Sequence, residues 1–181
     1  MTKSLSMIAL FLIAASSAFA DVKSGLQPGE RPPAYYVEDA TGPYKGKELC
    51  YRCKFGGRPV VNVFTRELND SVAKLIKGID QKVAENSGKQ MKAFVVLLTD
   101  DPKAERGKLQ QFAKTNGIKH TPLTTFGNPK GPSDYKISKD AAVTVMMWNK
   151  SRVKTNHAFS KASLADGSIS AVVADAGKIA K

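Results

Sequence analysis

Two stretches of the chain are β-branched and almost unbroken in apolar character, and each precedes a segment with helical spacing. Pro59-Val60-Val61-Asn62-Val63-Phe64 and Ala93-Phe94-Val95-Val96-Leu97-Leu98 have the length and composition of strands buried on both faces. After the first, Val72, Leu75, Ile76, Ile79 and Val83 recur at three- and four-residue steps. Asn69 to Ser71 offer N-cap oxygens there, and Asn86 to Gly88 a stop. After the second, Asp101-Pro102 joins a cap to a proline at the first helical position. Leu109, Phe112 and Ala113 face the core, and Asn116-Gly117 ends the helix.

The pattern continues with a strand over Thr121 to Phe126 and a Gly/Pro-rich connection from Gly127 to Pro132. Tyr135 and Ile137 lead into a strand over Ala142 to Trp148, then a turn at Asn149-Lys150-Ser151 and a strand from Arg152 to Phe159. Ser160 is read as the cap of a last helix with the stripe Leu164, Ile169, Val172, Val173, Ala176 and Ile179, interrupted by Gly167. Upstream, Ala34-Tyr35-Tyr36-Val37 predicts a short strand closed by the turn-prone Asp39 to Pro43. Alternating strands and helices followed by a hairpin and a closing helix predict an α/β domain, with a parallel core, an antiparallel edge and helices on both faces.

The N-terminus follows a different pattern. Lys3 precedes the apolar run Met7 to Ala15, and Ala18-Phe19-Ala20 fits a small-x-small cleavage site, so residues 1–20 read as a signal peptide cut after Ala20. The run is too short for a membrane span. Export to the periplasm or the exterior is the expected localisation. Residues 21–33, rich in Gly, Pro and charge, are read as an extended lead-in, and residues 34–181 as one domain.

Charge narrows the function less than export does. The formal net charge is +12, but the lysines are spread along every segment, with no arginine-rich tract or RNA-binding aromatic motif. Specific nucleic-acid binding is not expected. An anionic envelope component is the partner that such a surface suggests, and the chain is expected to act as a monomer.

The chain holds two cysteines, in Leu49-Cys50-Tyr51-Arg52-Cys53-Lys54, and this spacing closes and reopens a small disulfide ring. Export gives the pair access to oxidants. Lys47, Arg52, Lys54 and Arg58 surround it, with Glu48 opposing, and neighbouring cations favour thiolate over thiol. With no second CxxC and no nearby histidine, a metal site is disfavoured. Lys54 stands where haem attachment would need histidine, so no cofactor is expected. His120 and His157 have no sequence-near partner suggesting a triad and are read as surface or edge residues.

The order of elements and several phrases resemble the thioredoxin-like superfamily, especially its peroxiredoxin/redoxin branch. Pro33-Ala34-Tyr35-Tyr36-Val37-Glu38-Asp39 with Thr41-Gly42 is similar to that branch's "P-x-F-x-L-x-D-x-x-G" opening. Lys45-Gly46-Lys47 with Arg58-Pro59-Val60-Val61-Asn62-Val63-Phe64 is similar to its "KGK-x-VVL-x-F" run. The resemblance implies a three-layer α/β/α sandwich with a mixed sheet. It also implies a reactive cysteine just after the strand at Val60 to Phe64, where this chain reads Thr65-Arg66-Glu67-Leu68-Asn69-Asp70. Peroxidase chemistry by the family's route is therefore not expected. Pro122, in Lys119-His120-Thr121-Pro122-Leu123, resembles the thioredoxin active-site proline in local sequence, while Ala141-Ala142-Val143-Thr144 occupies the redoxin position.

Cys50 and Cys53 instead precede the strand. Either the loop from Tyr44 to Gly57 folds across the domain, or the dithiol works at the opposite pole. By analogy with the usual order, Cys50 would attack and Cys53 resolve, exchanging with a protein or small-molecule disulfide. The competing reading is a non-catalytic binding module with a structural bridge, although so short a ring contributes only about 2 kcal/mol by the chain-entropy model.

Overall fold

Seven strands form one mixed sheet in the order β2-β1-β5-β4-β3-β6-β7. They are β1 (Val37–Asp39), β2 (Glu48–Leu49), β3 (Val60–Thr65), β4 (Lys92–Leu98), β5 (Leu123–Phe126), β6 (Val143–Asn149) and β7 (Arg152–Phe159). The helices are α1 (Tyr51–Phe55), α2 (Asp70–Glu85), α3 (Pro102–Asn116) and α4 (Asp166–Lys178). The structure is a computed structural model and describes residues 22–181; the expected signal peptide lies outside the described residues.

The two apolar runs become β3 and β4, paired in parallel with Val61 opposite Ala93 and Val63 opposite Val95. Central position explains their continuous apolar character, because both faces are covered. β5 extends the parallel group beyond β4, while β6 runs antiparallel to β3 and β7 antiparallel to β6. The β6–β7 turn places both Lys150 (φ 53°) and Ser151 (φ 59°) in the left-handed region, the tight connection that matches the twist of a hairpin.

Local signals account for α2 and α3. Asn69 Oδ1 accepts from the Val72 amide at 3.0 Å and Asp101 Oδ1 from the Ala104 amide at 3.0 Å, each satisfying an amide with no partner inside its helix. Gly117 ends α3 at φ 65°. Ser160, expected to cap the last helix, does not: its hydroxyl meets Ser163 Oγ, and α4 begins six residues later behind Ala165, which makes no side-chain cap. Leu164 and Ile169 sit at the N′ and N4 positions and both enter the core, so an apolar pair flanks a start that has no polar cap.

The two faces are covered unequally. Two successive crossovers, from β3 to β4 and from β4 to β5, step in the same direction across the sheet and so leave α2 and α3 on one side. There they share a core with α4. The opposite face is closed by α1, by Tyr35 and Tyr135, and by Leu26 of the lead-in. The described residues of the lead-in, 22–33, form no strand or helix, yet Ser24 and Leu26 are 2% and 3% exposed. The first strand begins at Val37, later than its apolar letters suggest, because Tyr35 is spent on that second face, among Phe64, Phe94 and Tyr135.

Candidate redox site and the groove beside it

Cys50 and Cys53 form a disulfide with their Cα atoms 5.2 Å apart. Cys50 is the N-cap of α1, and its Sγ accepts from the Cys53 amide at 3.0 Å. The two residues differ in exposure: Cys50 is 6% exposed, whereas Cys53 is an exposed residue. That is the reverse of what an attacking Cys50 requires.

A five-residue helix has no stability of its own, so tertiary contacts fix α1. On its inner side Tyr51 and Phe55 pack on Phe94 of β4, at centroid distances of 5.5 and 5.9 Å. The Tyr51 hydroxyl donates to Asp39 Oδ2 at 2.8 Å. The buried Asp39 carboxylate also accepts the amides of Thr41, Gly42 and Tyr44, so one carboxylate ties β1, the following turn and α1 together. Burial, with the Asp39 hydrogen bond second, pushes the Tyr51 phenol well above its ordinary range, which keeps it a donor. Arg52 Nε holds the Pro32 carbonyl at 2.8 Å, and Trp148 Nε1 donates to the Gly56 carbonyl at 3.3 Å. Tyr51 and Phe55 face inward, so the 100° step of the helix turns Cys53 outward, with Lys54 beside it.

A groove of about 350 Å³ adjoins α1, lined by Pro43, Tyr44, Tyr51, Lys54, Phe55, Arg58, Lys92, His120 and Pro122. Arg58 lies two residues before β3, Lys92 opens β4, and His120 and Pro122 lie just before β5. The site thus occupies the N-terminal pole of the three parallel strands, and α1 also folds across the sheet face. Pro122 reaches this groove, and exposed His120 joins it with its amide donating to Asp80 Oδ1 at 2.7 Å. His157 lies elsewhere, half-buried on β7 with Nε2 3.0 Å from Asp175 Oδ2.

At the other pole, after β3, stands an arginine that helps line a second groove of about 350 Å³. Arg66 Nε donates to the Ala141 carbonyl and Nη2 to that of Ser138, each at 3.1 Å, and Nη1 to that of Pro129. Burial lowers its pKa from the ordinary guanidinium value. Three backbone carbonyls from the β5–β6 connection are its partners, which gives it a structural role at the position where the resemblance implied a thiol.

No family model matches the sequence, and no curated protein matches it. Solved structures do. A candidate thiol:disulfide interchange protein DsbE from Chlorobium tepidum matches at TM-score 0.58 and 17% identity over 83% of this chain and 98% of that one. A candidate protein disulfide isomerase from Bacteroides thetaiotaomicron matches at TM-score 0.64 and 13% identity, covering 87% and 94%. A cysteine-to-serine variant of PrxQ from Xylella fastidiosa matches at TM-score 0.64 and 10% identity, covering 88% and 100%. The fold is thioredoxin-like. What the thioredoxin-like layout left hidden in the sequence was the groove: its lining comes from separate loops and strand ends, and only the Cys-X-X-Cys run and the proline at 122 carried a local signal.

Proposed function

We propose that this thioredoxin-like protein carries out thiol–disulfide exchange through Cys50 and Cys53, with Cys53 as the sulfur that meets the partner. The observation that carries this reading is the unequal access within a closed disulfide, an exposed Cys53 against a buried Cys50. An incoming thiolate attacks Cys53 Sγ, the Cys50–Cys53 bond breaks, and its electron pair passes to Cys50 Sγ, where the Cys53 amide already donates. A second partner thiol, as its thiolate, attacks the partner's sulfur in the mixed disulfide. The partner leaves oxidised, and Cys50 and Cys53 take up two protons as the reduced pair. Run backwards, reduced Cys53 attacks a disulfide and Cys50 resolves it. The partner is a protein or small-molecule disulfide, the protein acts as an exported monomer in the periplasm or outside the cell, and its basic surface favours anionic envelope material.

The second reading, a binding module with a structural bridge, draws on the tethers that hold α1 through Tyr51, Arg52 and Gly56. The reduction potential and the rate of reduction by dithiothreitol separate the two. Exchange predicts rapid reduction and a potential within the range of cellular dithiols; a potential below about −300 mV with slow reduction overturns it. Cys50→Ser is expected to accumulate a mixed disulfide on Cys53, and Cys53→Ser to accumulate none on Cys50.

A further inference from the structure

The groove beside α1 has a one-signed charge. Lys54, Arg58 and Lys92 line it with no carboxylate among its lining residues, and among the described residues none of the three is in a salt bridge, whereas eight other pairs are. Pro43, Phe55 and Pro122 add apolar surface to the same lining. Lys54 follows Cys53 in the chain, lines the groove and extends over the Tyr44 ring at 4.3 Å, so the groove begins one residue from the dithiol.

We infer that the groove receives an acidic polypeptide segment, with apolar side chains between its carboxylates, that carries the cysteine exchanging with Cys53. The choice of a sulfur-bearing partner rests on the exchange reading. The acidic character rests on the groove alone: lysine and arginine side chains outside any salt bridge, interspersed with apolar lining, complement carboxylates interleaved with apolar groups. Its volume of about 350 Å³ lies at the lower end for ligand pockets and suits a short extended segment. Single-stranded nucleic acid needs open aromatic faces on which bases stack. Here Tyr51 is buried, and Lys54 already covers Tyr44.

The test uses a fluorescent peptide alternating Glu and Phe, with serine at the cysteine position, and a counterpart with Lys in place of Glu. Anisotropy titration is expected to give at least about tenfold tighter binding of the acidic peptide at low salt, weakening as salt rises. Arg58→Glu with Lys92→Glu removes the preference, as does the pair of exposed changes Lys54→Gln with Arg58→Gln. Lys103→Glu with Lys114→Glu, on the exposed side of α3, makes the same change in net charge as the first pair and keeps it. Equal loss in the groove and α3 variants overturns the inference, because net charge alone would then explain binding. So does the absence of a preference, or tighter binding of an oligothymidylate of equal charge. Because the serine peptide undergoes no exchange, its binding is decided independently of dithiothreitol reduction. A bridge that resists dithiothreitol overturns the exchange reading and leaves the acidic-segment result to stand or fall by itself.

Discussion

The residue that does most to place the dithiol is not a cysteine but Asp39, whose carboxylate accepts three backbone amides and the Tyr51 hydroxyl at a fully buried position. Tyr51→Phe keeps the ring and its packing on Phe94 but removes the one donor supplied by α1. A hydrogen bond to a charged acceptor contributes about 2 kcal/mol, and urea unfolding of the variant should show a loss of that size with an unchanged denaturant slope. Tyr51 also belongs to a set. Burial is the first cause that raises the phenols of Tyr35, Tyr51 and Tyr135 above the ordinary value. For a group with a raised pKa, the stabilising contribution is complete below the unfolded value and is lost as pH rises toward the folded one. The unfolded phenols ionise near pH 10, roughly, while the folded ones remain protonated, so stability should fall steeply from about that pH upward. Thermal melts from pH 8 to 11 check this, and Tyr51→Phe should show a shallower fall.

At the scale of elements, the glycines within helices separate packing from intrinsic preference. Gly78, on α2, lies against α4: a Cβ there would stand 2.5 Å from Val173 Cγ2, and a valine in a helix is held to one side-chain rotamer. Gly107, midway along α3, has nothing within 4 Å of the same atom. Alanine in place of glycine favours a helix by about 1 kcal/mol. Gly107→Ala should therefore stabilise by about that much, whereas Gly78→Ala should destabilise by roughly 1 kcal/mol once a crowding cost of about 2 kcal/mol is set against the same gain. Opposite shifts in unfolding midpoint are the result expected; two stabilising changes would show that α2 and α4 part without cost. The same contrast explains what was legible in the sequence. β3, β4, α2 and α3 could be read because apolar run, cap and stop agree locally. The five residues of α1 are too few to display a period, and contacts with Phe94, Asp39 and Trp148 hold it. The cysteines announced themselves by spacing, but Pro43, Lys54, Lys92 and Pro122 meet only because the parallel strands start at one pole.

At the scale of the whole molecule, the sheet has more apolar surface than its helices cover, and the lead-in supplies part of the remainder. Ser24 Oγ meets Thr144 Oγ1 at 2.7 Å, and Asn156 Nδ2 donates to the carbonyls of Ser24 and Leu26 at 2.8 and 2.7 Å. Gly29 and Val153 are joined through the Gly29 amide and the Val153 carbonyl at 2.9 Å. Gly25, at φ 84°, passes so close to β6 and β7 that a Cβ would stand 2.8 Å from Thr144 Cγ2 and 2.9 Å from Asn156 Nδ2. These bonds mix side-chain and backbone partners and follow no period, so composition alone presents the segment as a tether. The same second face carries Tyr51 and Trp148, which means that the lead-in and α1 close one core. Leu26→Ala decides whether that closure matters. A leucine 3% exposed in that core should cost about 2–4 kcal/mol when truncated, with the urea slope retained, while Lys23→Ala, at an exposed position three residues earlier, should change stability by less than about 0.5 kcal/mol. If both substitutions fall within that small range, the lead-in lies on the domain without stabilising it; if Leu26→Ala alone unfolds early, the sheet is complete only with residues 24–30 in place.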